Sequence, residues 1–165
     1  MTAWTDDVYV GKYLGRHEYV ADAEMIARYI EATRDANPWY TGPSPLGGPL
    51  APALLLHSEQ YAFRLRDWYL PKLYGNLHIR QEWELFRAVP VGTRLWTHGM
   101  VVDRYIRKDR DVVVLEFCVF NGEDVMVARG RCHQSFLLDV PEGQEVVGRD
   151  QGARRSARVE EPAGE

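Results

Sequence analysis

The residues best suited to chemistry lie together in the stretch Asp35-Ala36-Asn37-Pro38-Trp39-Tyr40. A carboxylate and an amide, Asp35 and Asn37, follow a predicted amphipathic helix, and Pro38 stops that helix from continuing. A carboxylate can take up a proton, whereas a phenol such as Tyr40, with an unperturbed pKa of about 10, can donate a hydrogen bond but is no base at neutral pH. The stretch is therefore a candidate acid–base loop that lacks histidine, the residue best suited to proton exchange near pH 7.

Two helices flank this loop in the predicted structure. Asp22 is the expected N-cap of the first helix, whose apolar positions recur at helical spacing up to Thr33. A segment rich in proline and glycine, residues 41–52, then forms a loop. The second predicted helix runs from Leu54 to Leu70 and is apolar on most sides, so other elements are expected to wrap it.

The remainder of the chain alternates between apolar and polar residues, as strands do. The predicted strands are Arg16 to Val20, Leu77 to Phe86, Arg94 to Ile106, Asp111 to Asn121, and Asp124 to Leu138. Asn121-Gly122 is a strong hairpin signal, and the charged segment 107–110 marks another turn. An apolar helix followed by a long antiparallel meander packs most economically when the sheet curls around the helix. The predicted fold is α+β, a single hot-dog fold.

Length, charge and composition set limits on organisation and partners. The 165 residues predict one hot-dog domain over 1–141, and the charged, Gly- and Pro-containing segment 142–165 predicts a disordered tail. A net charge of −4 with scattered arginines argues against a nucleic-acid interface, and no apolar run reaches bilayer length, so a soluble cytoplasmic protein is expected. Cys118 and Cys132 lie inside predicted strands without metal-ligand spacing, which predicts buried free thiols, no metal site and no cofactor.

Three segments, in this order and with these gaps, resemble the MaoC-like hydratases and dehydratases. The likeness is greater to the branch known as N-terminal MaoC or fatty-acid-synthase-like dehydratases, and it covers roughly residues 9–139. The segments are residues 29–38, which include the candidate loop, then 77–84, then 91–95.

The resemblance implies roles for individual residues. In this family a loop Asp, an Asn-Pro and a His flank a 2-enoyl thioester. Here Asp35 matches the Asp and Tyr40 stands in place of the His, so these two are the implied catalytic residues. Asn37 matches the loop frame and is an implied substrate-binding residue. The family usually has His-Gly at the entrance of the wrapped helix. Here the best-matching donor for a thioester oxygen is the Ala53 amide, because Pro52 has no N–H.

The same resemblance implies an (R)-specific enoyl-thioester hydratase or 3-hydroxyacyl-thioester dehydratase subunit. Its implied ligand is a thioester of coenzyme A or of an acyl carrier protein. We expect a homodimer or a heteromer. Because Tyr40 replaces the His, we expect that in the heteromer a second MaoC-like subunit supplies catalysis and this chain shapes the substrate site. A non-catalytic acyl-thioester-binding or scaffolding protein and a hot-dog thioesterase are the alternatives.

Three of the candidate residues have a second interpretation. Asp35 could serve only to hydrogen-bond its own turn. His57, on the second predicted helix, is a candidate substrate-binding residue or a satisfied core or interface histidine. Trp39 could line a cavity for a bulky acyl group, or be simple core.

Overall fold

The computed structural model describes residues 8–65 and 75–138 of the chain. Its helices and strands, in chain order, are β1 (Tyr13–Ala21), α1 (Ala23–Thr33), a 3₁₀ turn (Pro38–Tyr40), α2 (Leu55–Glu59), a 3₁₀ helix (Gln60–Leu65), β2 (Leu77–Leu85), β3 (Thr93–Arg107), β4 (Arg110–Asn121) and β5 (Met126–Leu137). The strands form one antiparallel sheet in the order β1-β3-β4-β5-β2. The predicted α+β class and single hot-dog fold are confirmed.

The sheet has a buried inner face that packs on the segment from α2 to the 3₁₀ helix. Phe63 from this segment is fully buried and its ring lies 5.4 Å from that of Phe117 on β4. Leu55 and Leu56 on α2 are buried in a second cluster, with Leu95 of β3 among their neighbours. The central helical segment thus fills the concave side of the sheet, as the apolar pattern predicts.

This central segment differs from the predicted long helix. Only Leu55–Glu59 is α-helical, because the Gln60 amide bonds the carbonyls of His57 and Ser58 and the backbone tightens to 3₁₀ geometry. The predicted continuation over 66–70 lies outside the described residues. Leu54 and Tyr61 remain exposed, so within the described part of the chain the segment is not covered on all sides.

The strand predictions agree with the structure to within one or two residues at most ends. β1 is longer than predicted, beginning at Tyr13. Residues 122–125 join β4 to β5, a longer turn than Asn-Gly favours, because the Asn121 side chain accepts from the amides of Glu123 and Val125 at 3.1 and 3.0 Å.

Within the described residues, neither Cys118 nor Cys132 forms a disulfide. Cys132 is buried, as predicted, whereas Cys118 is only half-buried. No helix in residues 8–65 or 75–138 is long and apolar enough to cross a membrane. The domain boundary at 141 and the tail 142–165 concern residues beyond the described part and remain predictions.

Candidate active site

The candidate loop is positioned by the two ends of α1. Asp22 caps its first turn, where the side chain accepts a main-chain N–H at 2.8 Å. The helix ends at Arg34, which has a left-handed backbone (φ 57°) and donates its N–H to the Ile30 carbonyl at 2.7 Å. The Thr33 hydroxyl then accepts the Asp35 amide at 3.3 Å. The chain therefore leaves the helix sharply and places Asp35 just outside it.

Asn37 holds the next turn rather than standing free. Its side-chain oxygen accepts the Trp39 amide at 3.0 Å, and its carbonyl accepts the Tyr40 amide at the same distance. Pro38 occupies the first position of this 3₁₀ turn, where its missing N–H costs nothing. Asn37 therefore frames the loop, as its match to the family implies, and its substrate-binding role stays a prediction.

The turn brings the two predicted catalytic residues into contact. The Tyr40 hydroxyl donates to an Asp35 carboxylate oxygen at 2.9 Å. Partial burial, and then this hydrogen bond to a carboxylate, raise the pKa of the Tyr40 phenol to about 12. At neutral pH the phenol therefore stays protonated, so Tyr40 is a hydrogen-bond donor and Asp35 is the group of the pair that can accept a proton.

Tyr40 lies at the wall of a cavity of about 320 Å³. The cavity is enclosed by the loop, the start of α2 and the chain that follows β2. Its lining residues are Trp39, Tyr40, Leu50, Ala51, Pro52, Ala53, Leu56, Leu85, Phe86, Arg87, Ala88 and Val89. Three predicted site residues, Trp39, Tyr40 and Ala53, are thereby brought together. Asp35 is not among the lining residues and reaches the cavity through Tyr40.

Ala53 borders the cavity in the turn before α2. The Leu55 amide bonds the Pro52 carbonyl at 3.0 Å, so this turn is fixed by the backbone. Ala53 precedes the short α-helical stretch Leu55–Glu59 rather than lying inside it. Any help from Ala53 therefore rests on its own N–H.

The structure does not bring His57 to this cavity. Its ring lies in a packed cluster with Gln60, whose amide nitrogen is 2.7 Å from Nδ1, and with Trp83, whose indole nitrogen is 3.4 Å from Nδ1. The ring of His78 stacks on it with centroids 6.1 Å apart. These contacts are those of a packed histidine, and the substrate-binding role of His57 stays a prediction.

Arg87 is a cavity residue that the sequence analysis missed. It follows β2, its amide is bonded to the Val127 carbonyl at 3.2 Å, and no acidic partner for its guanidinium lies within the described ranges. Sequence spacing gives no sign of it, because about 50 residues separate it from the loop and sheet pairing brings them together. The strand pattern does predict that residues after Phe86 leave the sheet, which is the available signal.

Known structures share this architecture, although no protein-family model and no curated protein matches the sequence. The MaoC-like dehydratase from Rhodospirillum rubrum aligns with a TM-score of 0.67 and 16% identity, over 85% of this chain and 99% of that one. The unliganded (R)-hydratase PhaJ1 from Pseudomonas aeruginosa aligns with a TM-score of 0.63 and 17% identity, over 84% and 92%.

A third similar structure is a complex of two proteins. The ChsH1-ChsH2 complex from Mycobacterium tuberculosis aligns with a TM-score of 0.61 and 14% identity, over 78% of this chain and 98% of that one. At these identities the likeness concerns the fold. The chain has the hot-dog fold of the MaoC-like dehydratases and (R)-hydratases.

Proposed function

We propose that the chain is one subunit of an (R)-specific enoyl-thioester hydratase or 3-hydroxyacyl-thioester dehydratase, and that it shapes the substrate cavity while a second MaoC-like subunit supplies the acid–base pair. The observation that carries the proposal is the hydrogen bond from Tyr40 to Asp35 at the wall of the cavity. The geometry of the loop supports a substrate site, but the loop lacks one of the two groups that the proton transfers need.

Hydration of an enoyl thioester needs two proton transfers. A base takes a proton from the water that attacks C3, and an acid delivers a proton to C2. Asp35 can serve as a base, but Tyr40 holds its proton up to a pKa of about 12 and cannot alternate between the two forms at neutral pH. The described residues around the cavity include no histidine to take that place. One chain therefore provides half of the required chemistry.

The sheet offers a place for the second subunit. β2 is an edge strand, and it exposes Leu77, Ile79 and Leu85, an apolar set that is unusual for an unpaired edge. Leu85 is also part of the cavity wall, so a subunit paired with β2 would border the cavity. The existence of a ChsH1-ChsH2 complex with this fold supports such pairing.

A non-catalytic acyl-thioester-binding protein is the second candidate. It is favoured by the position of Asp35, whose carboxylate is engaged by Tyr40 and lies behind the cavity wall. In that case the cavity would still bind the acyl group, and no partner would confer activity on the chain.

Co-expression with a genomically neighbouring MaoC-like chain separates these candidates. We expect the chain alone to hydrate enoyl-CoA poorly and the purified complex to be active. Trp39→Ala should raise KM of the complex, because Trp39 lines the cavity, whereas Leu46→Ala, which removes an exposed apolar side chain outside the lining, should not. Stable binding of acyl-CoA without turnover in any complex would favour the binding protein, and release of free thiol would indicate a thioesterase.

A further inference from the structure

A second groove, of about 330 Å³, lies on the outer face of the sheet around the β3–β4 turn. We call it the cationic groove; it is lined by Ile79, Arg80, Tyr105, Arg107, Lys108, Arg110, Val112, His133 and Ser135. Val112 pairs with Tyr105 on one side and Ser135 on the other, so their side chains share this face. Leu85, by contrast, pairs with the core residue Ala128 on the inner face. The cationic groove is therefore separate from the candidate active site, at the other end of β2.

Among the described residues, most of the positively charged side chains in the cationic groove have no acidic partner. Arg107 and Lys108 have no acidic partner within the described residues. The Arg110 guanidinium donates to neutral acceptors, the Ser135 hydroxyl at 2.5 Å and the Gly75 carbonyl. Arg80 is the exception, since its guanidinium lies 2.6 Å from Glu82. Three permanent cations thus face one groove, and no carboxylate of the described residues is bound to them.

Two carboxylates and one histidine of the described residues lie near these cations. Glu82 is already shared between Arg80 and His133, whose Nε2 is 3.1 Å from it. Asp109 lies at the apex of the turn and does not line the cationic groove. Neither carboxylate is bonded to the three cations, so the groove keeps a net positive charge.

The turn holds its cations in an unfavourable arrangement. Arg107 and Arg110 are direct partners in the β3–β4 register, and like charges in opposed positions repel. Lys108 has a left-handed backbone (φ 49°), a conformation that glycine or asparagine adopts more readily than lysine. An anion bound between these side chains would relieve the repulsion, and residues held under such strain are often found at binding sites.

The rest of the cationic groove is apolar and aromatic. Val112 forms a buried floor, Ile79 lies beside it, and the half-buried Tyr105 presents a ring next to the cations. A flat base beside two phosphoryl groups matches this combination, because rings stack on tyrosine and phosphates bind arginine and lysine.

We propose that the cationic groove binds a nucleoside diphosphate, with its phosphates on Arg107, Lys108 and Arg110 and its base against Tyr105. Two molecules carry this group: a free nucleotide such as ADP, and coenzyme A, whose nucleotide end bears an additional 3′-phosphate. The proposal concerns a site on the outer face and does not depend on catalysis at the cavity.

Titration of the full chain with a fluorescent ADP analogue at low salt tests the proposal. We expect saturable binding that Arg107→Ala and Lys108→Ala each weaken by about tenfold, the effect of losing one charge-assisted hydrogen bond. Tyr105→Ala should weaken binding of ADP but not of inorganic pyrophosphate. Arg28→Ala, which removes an exposed arginine on α1, should leave binding unchanged.

Lys108→Gly separates binding from folding. Glycine adopts the left-handed backbone without strain, so this variant should melt at the same or a higher temperature while losing about tenfold in affinity. Competition by coenzyme A that is much stronger than by 3′-dephospho-coenzyme A, which keeps the diphosphate and lacks only the 3′-phosphate, would identify the coenzyme A end as the source, and equal competition would identify free nucleotide. Absence of saturable ADP binding up to millimolar concentration, or equal loss of affinity in Arg28→Ala and Arg107→Ala, would overturn the proposal.

Discussion

The indole ring of Trp83 lies directly on Gly130, its partner across the β2–β5 pair. A Cβ added at Gly130 would come within 2.7 Å of two ring carbons of Trp83. Because Trp83 packs against both core clusters, this contact ties the edge strand β2 to the sheet interior. The wall of the candidate active site continues from the end of β2, so the contact also holds that wall in place.

Gly130→Ala should destabilise the protein by about 1–3 kcal/mol, the usual cost of overpacking a filled interior site. The indole has to move, and β2 must shift with it. Chemical denaturation followed by tryptophan fluorescence measures the change. Gly122→Ala is the matched control, since a Cβ there has no neighbour within 4 Å and its stability should not fall. Equal stability of the two variants would contradict this account of the contact.

Asp111→Ala should lower the free energy of unfolding by about 3 kcal/mol, because it removes the buried carboxylate that binds Arg104. Asp111 is 2% exposed and accepts two hydrogen bonds from Arg104 at 2.7 and 3.1 Å through one carboxylate oxygen. Arg104 also donates to the Val8 carbonyl at 2.7 Å, which fastens the start of the described chain. The unfolding midpoint in urea reports the loss.

The exposed ion pairs provide the comparison for Asp111. Glu18 contacts Arg16 and Arg94 at 2.7 Å each, but on the solvent-facing side of the sheet. Solvent screens such pairs, so Glu18→Ala should leave the urea midpoint nearly unchanged. If Glu18→Ala were as destabilising as Asp111→Ala, burial would not explain the contribution of the Asp111–Arg104 pair to stability.

Cys118 should react slowly with iodoacetamide at pH 8. Burial, and then the nearby Glu116 carboxylate, raise the pKa of the Cys118 thiol above its ordinary value, while Arg129 and Arg131 act in the opposite direction. Since the thiolate is the reactive form, a raised pKa leaves little of it at pH 8, and the rate should keep rising well above that pH. Mass spectrometry of the Cys132→Ser variant follows Cys118 alone.

Glu116→Gln should speed this reaction, since removal of the carboxylate lowers the pKa of Cys118 and leaves Arg129 and Arg131 to favour the thiolate. A Cys118 that reacts as quickly as a free cysteine in the unsubstituted chain would show that the thiol is more accessible than the structure indicates.

The strands were predictable from the sequence because a half-buried sheet imposes a period of two. β3 spans Thr93–Arg107 against a prediction of Arg94 to Ile106, and β4 differs from its prediction by one residue at its start. The central helix was less predictable. The sequence shows that a segment rich in apolar residues begins at Leu54, but the change from α to 3₁₀ geometry at Gln60 depends on local hydrogen bonds that no periodicity encodes.

The candidate site was predictable where it is local in sequence. Asp35 and Tyr40 are five residues apart, and a helix end followed by Asn37-Pro38 brings them together. The opposite wall of the cavity, including Arg87, comes from the segment after β2 and depends on the pairing of β2 with β5. The surroundings of His57 were not predictable for the same reason, since its position on the helix does not reveal that Trp83 contacts it.

Our proposal is that Tyr40 leaves Asp35 without a catalytic histidine, so that a partner subunit performs the proton transfers. Its most direct test is the rate of enoyl-CoA hydration by the reconstituted complex carrying Asp35→Asn in this chain, set beside the equivalent substitution in the partner's loop. We expect the Asp35→Asn complex to stay within about tenfold of the unsubstituted rate and the partner variant to lose about 10²- to 10⁴-fold, the usual cost of removing a general acid or base. A loss of 10²-fold or more from Asp35→Asn, with assembly and substrate binding intact, would contradict the claim and make Asp35 itself catalytic.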